Sequence, residues 1–169
     1  MFALVGLWGI SAAWVEDPPD SGRLRMYFRG WHLPMPLSKT RAYYLMVGLG
    51  VLVTTISSVL DHARTGFENN YLWIPTVVGV FATLIAVGLG AVERPNRADL
   101  TIYLIAMLLL ILTGLIGAVL HVQDNLTSRG TFVLERFIRG APFLAPLLFA
   151  NMGALGLIVM LDPRSEVVE

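Results

Sequence analysis

The sequence predicts an all-α integral membrane protein, with four transmembrane helices in two hairpins behind an interfacial N-terminal arm. Three observations lead there. Leu100–Val122, which reads LTIYLIAMLLLILTGLIGAVLHV, contains no Asp, Glu, Lys or Arg. Only 14% of the chain is charged, against about 25% in soluble domains. Three further apolar stretches are set off by polar or proline-containing loops.

Each element follows from these. About 23 helical residues span roughly 34 Å, enough to cross a hydrocarbon core of about 30 Å. A helix facing water would carry a polar face, and Leu100–Val122 has none. The first span covers about 42–60, the second 72–92, the third 100–122 and the fourth 143–161. Trp73 suits the headgroup level, and Pro75 falls in a first turn, where its missing N–H costs little. The segments Ile56-Ser-Ser-Val-Leu-Asp-His and Ile116-Gly-Ala-Val-Leu-His, with Phe81-Ala-Thr and Phe149-Ala-Asn, suggest a parallel duplication of one hairpin.

The arm comprises residues 1–41. Residues 1–15 are apolar but shorter than the roughly 20 needed to span. They lack the basic start and small-residue cleavage site of a signal peptide, so removal is not expected. A helix lying in the interface, with Trp8 and Trp14 at headgroup depth, is the expectation. Pro18 and Pro19 end it. Arg23, Arg25 and Arg29 alternate with apolar and aromatic residues, a pattern that suits contact with anionic lipid. Residues 162–169 form a polar tail.

Loop charge sets the expected orientation. Eight of the 12 basic residues (Arg23, Arg25, Arg29, Lys39, Arg41, Arg94, Arg97 and Arg164) lie on the side of the termini. Both termini are therefore expected in the cytoplasm, with the chain in a bacterial inner membrane.

Composition narrows the function. Formal net charge is zero, so no basic field points to nucleic acid. There is no cysteine, which removes disulfides, thiolate nucleophiles and Cys-ligated metals. No acidic or basic residue lies mid-span, where proton-coupled transporters and voltage sensors need them. P-loop, GxGxxG, GxSxG and HExxH motifs are absent from the sequence.

Three residues are candidates for chemistry. His62 and His121 end the first and third spans on the same side. They continue weakly polar stripes through Thr55 and Ser58, and through Thr113 and Gly117. Two imidazoles facing inward there could ligate a haem b iron, with Gly117 leaving room for a porphyrin edge. Asn151 is the most polar side chain inside a span, suited to bonding another helix, a quinone or a pigment carbonyl. With Asp61 and Asp124, the two histidines would offer a nitrogen and oxygen donor set to a metal, though their spacing fixes no geometry.

The expected function is that of a non-catalytic accessory subunit of a multi-protein membrane complex, respiratory or photosynthetic. Its partners would be other membrane subunits and bound lipids, docked on apolar faces, the arm and the 123–141 loop. The alternative is a b-haem or quinone-binding anchor of an electron-transfer enzyme, using His62 and His121.

Overall fold

The computed structural model describes residues 14–18, 20–26, 30–126 and 132–161. Strands β1 (Trp14–Glu16), β2 (Arg23–Met26) and β3 (His32–Pro34) precede the helices. These are α1 (Lys39–Ala63), α2 (Ile74–Ala91, entered through a 3-10 turn at Asn70–Trp73), α3 (Arg97–Asn125), α4 (Leu134–Arg139) and α5 (Leu147–Met160).

The chain is mostly helical, and three helices are long and apolar enough to cross a membrane: Lys39–Ala63, Asn70–Ala91 and Arg97–Asn125. The fourth expected span, 143–161, is realised as a helix of only 14 residues, α5. Prolines are the reason. Pro142 and Pro146 bracket a turn over Phe143–Ala145, and Pro146 becomes the N-cap of α5. Three helices present large apolar side chains outward, among them Leu49 and Leu60 on α1, Leu84 on α2 and Leu112 and Ile116 on α3. Exposure on this scale belongs to a surface facing lipid or protein rather than water.

Local chemistry fixes the helix ends. The Ser38 hydroxyl accepts from the Arg41 amide at 3.4 Å and starts α1. Asn96 and Asp99 form a capping box at the start of α3, with reciprocal hydrogen bonds of 2.9 and 3.0 Å. The end of α2 is closed from another helix. Arg41 Nε donates to the Gly90 carbonyl at 3.0 Å, and its Nη2 to the Ala91 carbonyl at 3.1 Å. A cation meets the negative end of the α2 dipole there.

Helix α1 packs on α2 and α5, and α3 packs on α2 and α5. Tyr44 and Tyr103 meet edge to face at the centre, ring centroids 4.9 Å apart, and the Tyr103 hydroxyl donates to the Gly156 carbonyl at 3.3 Å. Val51, Ala82, Ala86, Ala106, Met107 and Leu110 are fully buried around them. Close approach depends on missing side chains. A Cβ on Gly114 would collide with the Ala150 amide and the Pro146 carbonyl, and one on Gly79 with the Thr55 side chain. This is the small-residue logic of helix contact in membranes.

The arm departs from an all-α fold. Residues 1–13, including Trp8 of the expected interfacial helix, lie outside the described residues. Trp14 and Val15, expected at the end of that helix, instead open a three-stranded antiparallel sheet of order β1-β2-β3. The register sets Val15 opposite Arg25 and Arg25 opposite His32, while Glu16, Leu24 and Leu33 form the next row. Alternation of exposed arginine and buried Leu24 along β2 is the period of a strand with one covered face. Gly22 allows the turn. Its φ is +71°, and a Cβ there would sit 3.1 Å from the Leu37 carbonyl oxygen and nearer still to that of Met35.

Glu16 ties this sheet to the bundle. Its carboxylate accepts from the Gly22 amide at 2.6 Å and from the Lys39 amide at 3.3 Å. The second contact places a negative charge on the first residue of α1, where the helix leaves donors unsatisfied.

Candidate ligand site at one end of the bundle

His62 lies two turns beyond buried Thr55 on α1, and His121 two turns beyond buried Gly114 on α3. Seven residues return a helix to nearly the same face, so both imidazoles continue core-facing stripes. The fold brings them within electrostatic reach of each other. Nδ1 of each ring is buried without a hydrogen-bond partner. Most buried polar atoms are satisfied, so such orphans require a reason.

The His62 side is shaped by a tight helix end. Gly66, with φ +67°, and the Phe67 amide, which donates to the His62 carbonyl at 3.2 Å, turn the chain back. Phe67 itself has φ 51°, uncommon for a bulky residue. This backbone aims the Phe67 ring at His62, with centroids 5.9 Å apart, and stacks it on Trp73 at 4.2 Å. The His62 ring also reaches the backbone of Leu72. One turn along α2, Thr76 Oγ1 is another buried atom without a partner. A mid-helix threonine often bonds the carbonyl four residues back, which here belongs to Leu72. His62 Nδ1, His121 Nδ1 and Thr76 Oγ1 thus stand at the same end of the bundle, in the turns that close α1 and α3 and open α2.

The candidates identified in the sequence fare differently. His62 and His121 stand at the same end of the bundle, within electrostatic reach of each other. The space beside Gly117 does not serve a porphyrin edge, because a Cβ there would lie 2.9 Å from Pro146 Cβ. That proline packs on the helix where the haem was expected to slide in, and the haem fits poorly at this place. Asp61 and Asp124 are exposed, and among the described residues no group of three or more His, Asp or Glu is arranged to hold a metal ion. Asn151 is half-buried on α5, away from the histidine end.

Beyond His121 lies a feature the sequence reading did not single out. Asn125 is 2% exposed. Its Nδ2 donates to the Ala141 carbonyl at 2.7 Å, and its Oδ1 accepts from the Ala141 amide at 3.0 Å. Arg136 Nη2 donates to the Asp124 carbonyl at 2.9 Å. Together they bound an open cleft of about 470 Å³ between the end of α3 and α4. A buried-type polar residue at the end of an apolar span was the available signal.

The class the fold defines is a helical protein with three helices able to span a membrane. Comparison with protein families, with curated proteins and with solved structures finds no match in any of the three.

Proposed function

We propose that this chain is a non-catalytic accessory subunit of a multi-protein membrane complex. It sits in a bacterial inner membrane with both termini cytoplasmic, and α5 with the turn before it completes a fourth crossing. The observation that carries this reading is the sheet. Glu16 holds it to the start of α1, and it presents Val15 and Leu33, 41% and 48% exposed, on its two edge strands. Among the described residues no further strand pairs with β1 or β3, and such edges with apolar side chains suit a partner polypeptide. Support for the fourth crossing comes from the way α5 runs antiparallel along α3, from Pro146 beside Gly117 to Gly156 beside Tyr103.

Native electrophoresis of solubilised membranes tests this. The chain should migrate in a discrete assembly larger than its purified form, and Val15→Asp should shift it to the smaller species. Migration of the wild-type chain as an isolated monomer would reject the reading.

The orphan nitrogens of His62 and His121 favour a second reading: an anchor that binds a lipid-soluble carbonyl headgroup such as a quinone. Imidazole N–H groups and the Thr76 hydroxyl can donate to carbonyl oxygens. Binding of a ubiquinone analogue to the purified chain, lost in His121→Leu, is the expected result. Equal binding by wild type and variant would dismiss it. A reduced-minus-oxidised spectrum lacking a b-type band would agree with the crowding at Gly117.

A further inference from the structure

Helix α4 leaves most of an apolar side uncovered. At the helical period, Leu134, Phe137 and Ile138 fall on one side, and Glu135, Arg136 and Arg139 on the other. The polar residues border the open cleft shared with Asp124 and Asn125, and the paired side chains of Arg139 and Glu135 are 80% and 71% exposed. The apolar side is exposed as well. Leu134 is 62% exposed and Ile138 72%, with Phe132 at 62% beside them. Phe137 bridges Phe132 and Phe143, with ring centroids 4.7 and 5.7 Å away, so the patch is continuous.

The depth of α4 is fixed by its neighbours. Asn125, the last residue of α3, holds Ala141 through two hydrogen bonds. At 29 residues, α3 exceeds the length a hydrocarbon core of about 30 Å requires, so its final turn reaches headgroup level. The outward side of α3 leads to the same place through Ile116 and Val119, both more than half exposed. The apolar exposed side of α3 thus gives way to exposed Gln123 and Asp124 in its last turn, the level at which α4 is held.

We propose that α4 lies flat in the membrane–water boundary, with Leu134 and Ile138 against the acyl chains. Glu135, Arg136 and Arg139 then stand at the level of the phosphates. The occupant of the apolar face is the bilayer, as for interfacial amphipathic helices in general. This assignment does not depend on the complex or on any ligand.

The chain has no cysteine, so single nitroxide labels report one position each. Ile138→Cys, Leu134→Cys, Glu135→Cys and the loop control Asn69→Cys are labelled in full-length protein. Each is reconstituted in vesicles of phosphatidylcholine and phosphatidylglycerol. Collision with oxygen, which concentrates in the bilayer, is compared with collision with a water-soluble nickel chelate. The expected result is an oxygen-to-nickel ratio at 138 and 134 severalfold above that at 135 and 69. Ratios at 134 and 138 equal to that at 69 would place the face in water and overturn the proposal. Low collision with both reagents would mean that a second copy of the chain covers it, and would overturn it equally.

Discussion

Asn125 and Ala141 exchange two hydrogen bonds, 2.7 and 3.0 Å long, across a separation of 16 residues. One side chain thereby satisfies both backbone groups of a residue in the connection between α3 and α5. The connection contains α4, which this amide helps to place together with the Arg136 bond to the Asp124 carbonyl.

Asn125→Ala should free that connection while leaving the helical core intact. It removes both hydrogen bonds and leaves two backbone groups of Ala141 in search of water, a loss of about 1–3 kcal/mol. Hydrogen exchange in detergent should show faster exchange at Ala141 and along α4, with α1 and α2 unchanged. Asn125→Asp keeps the acceptor for the Ala141 amide and loses the donor, so its effect should be intermediate. Unaltered exchange at Ala141 in the alanine variant would show that the loop is held by other contacts.

Arg41→Ala should loosen the end of α2, although the residue belongs to α1. The guanidinium bonds two carbonyls that α2 itself leaves open. Loss of one charged cap at a helix C-terminus costs about 0.3–1 kcal/mol, and up to about 2 in partly buried sites. Arg41→Lys restores the charge but not the forked donor pair. Thermal unfolding in detergent should therefore rank wild type above lysine and lysine above alanine. Equal midpoints for all three would remove the cap from the account.

Close helix contact gives a matched pair of glycine substitutions. Gly114→Val drives a side chain into the backbone of α5 near Ala150, and overpacking of this kind costs about 1–3 kcal/mol. Gly88, on α2, has nothing within 4 Å of where its Cβ would stand. Gly88→Ala should be neutral or stabilising by up to about 1 kcal/mol through helix propensity. The ordering of their unfolding midpoints around wild type is the measurement. A destabilised Gly88→Ala together with a neutral Gly114→Val would contradict the packing of α3 on α5.

What the sequence made legible follows the range of the interactions. The apolar run ending at His121 needs no partner to be recognised, because lipid alone explains it. That His62 and His121 end their helices on the same side of the bundle was also accessible, since each stands a heptad beyond a small or weakly polar core residue. The sheet was not. Arg23-Leu-Arg-Met shows period-two alternation for only four residues, and its arginines read equally well as a basic lipid-binding arm. Its formation depends on left-handed glycines at 22 and 30 and on Glu16 reaching Lys39, contacts that local patterns do not display. The shortening of α5 was written in Pro142 and Pro146, but the composition of 143–161 hid it. Room beside Gly117 was misjudged because a glycine admits a neighbouring helix as readily as a ligand, and Pro146 takes the space.

Replacing His121 separates stability from ligand binding. Its Nδ1 is buried without a partner, so the folded state bears the cost of desolvating that nitrogen with nothing in return. An apolar residue of similar bulk avoids the cost, since removing an unsatisfied polar group can be neutral or stabilising. His121→Leu should therefore raise the unfolding midpoint of the purified chain, by the equivalent of about 1–3 kcal/mol. Polar groups kept at such a cost are characteristic of functional sites, where stability is given up for activity. If the histidines bind a carbonyl headgroup, the same variant should lose the stabilisation that added ligand confers on wild type, which grows with ligand concentration above the dissociation constant. Thermal unfolding with and without a quinone analogue checks both halves. A destabilised His121→Leu would mean that the imidazole makes a structural contribution outweighing its unpaired nitrogen, and the case for a ligand at this end of the bundle would fall with it.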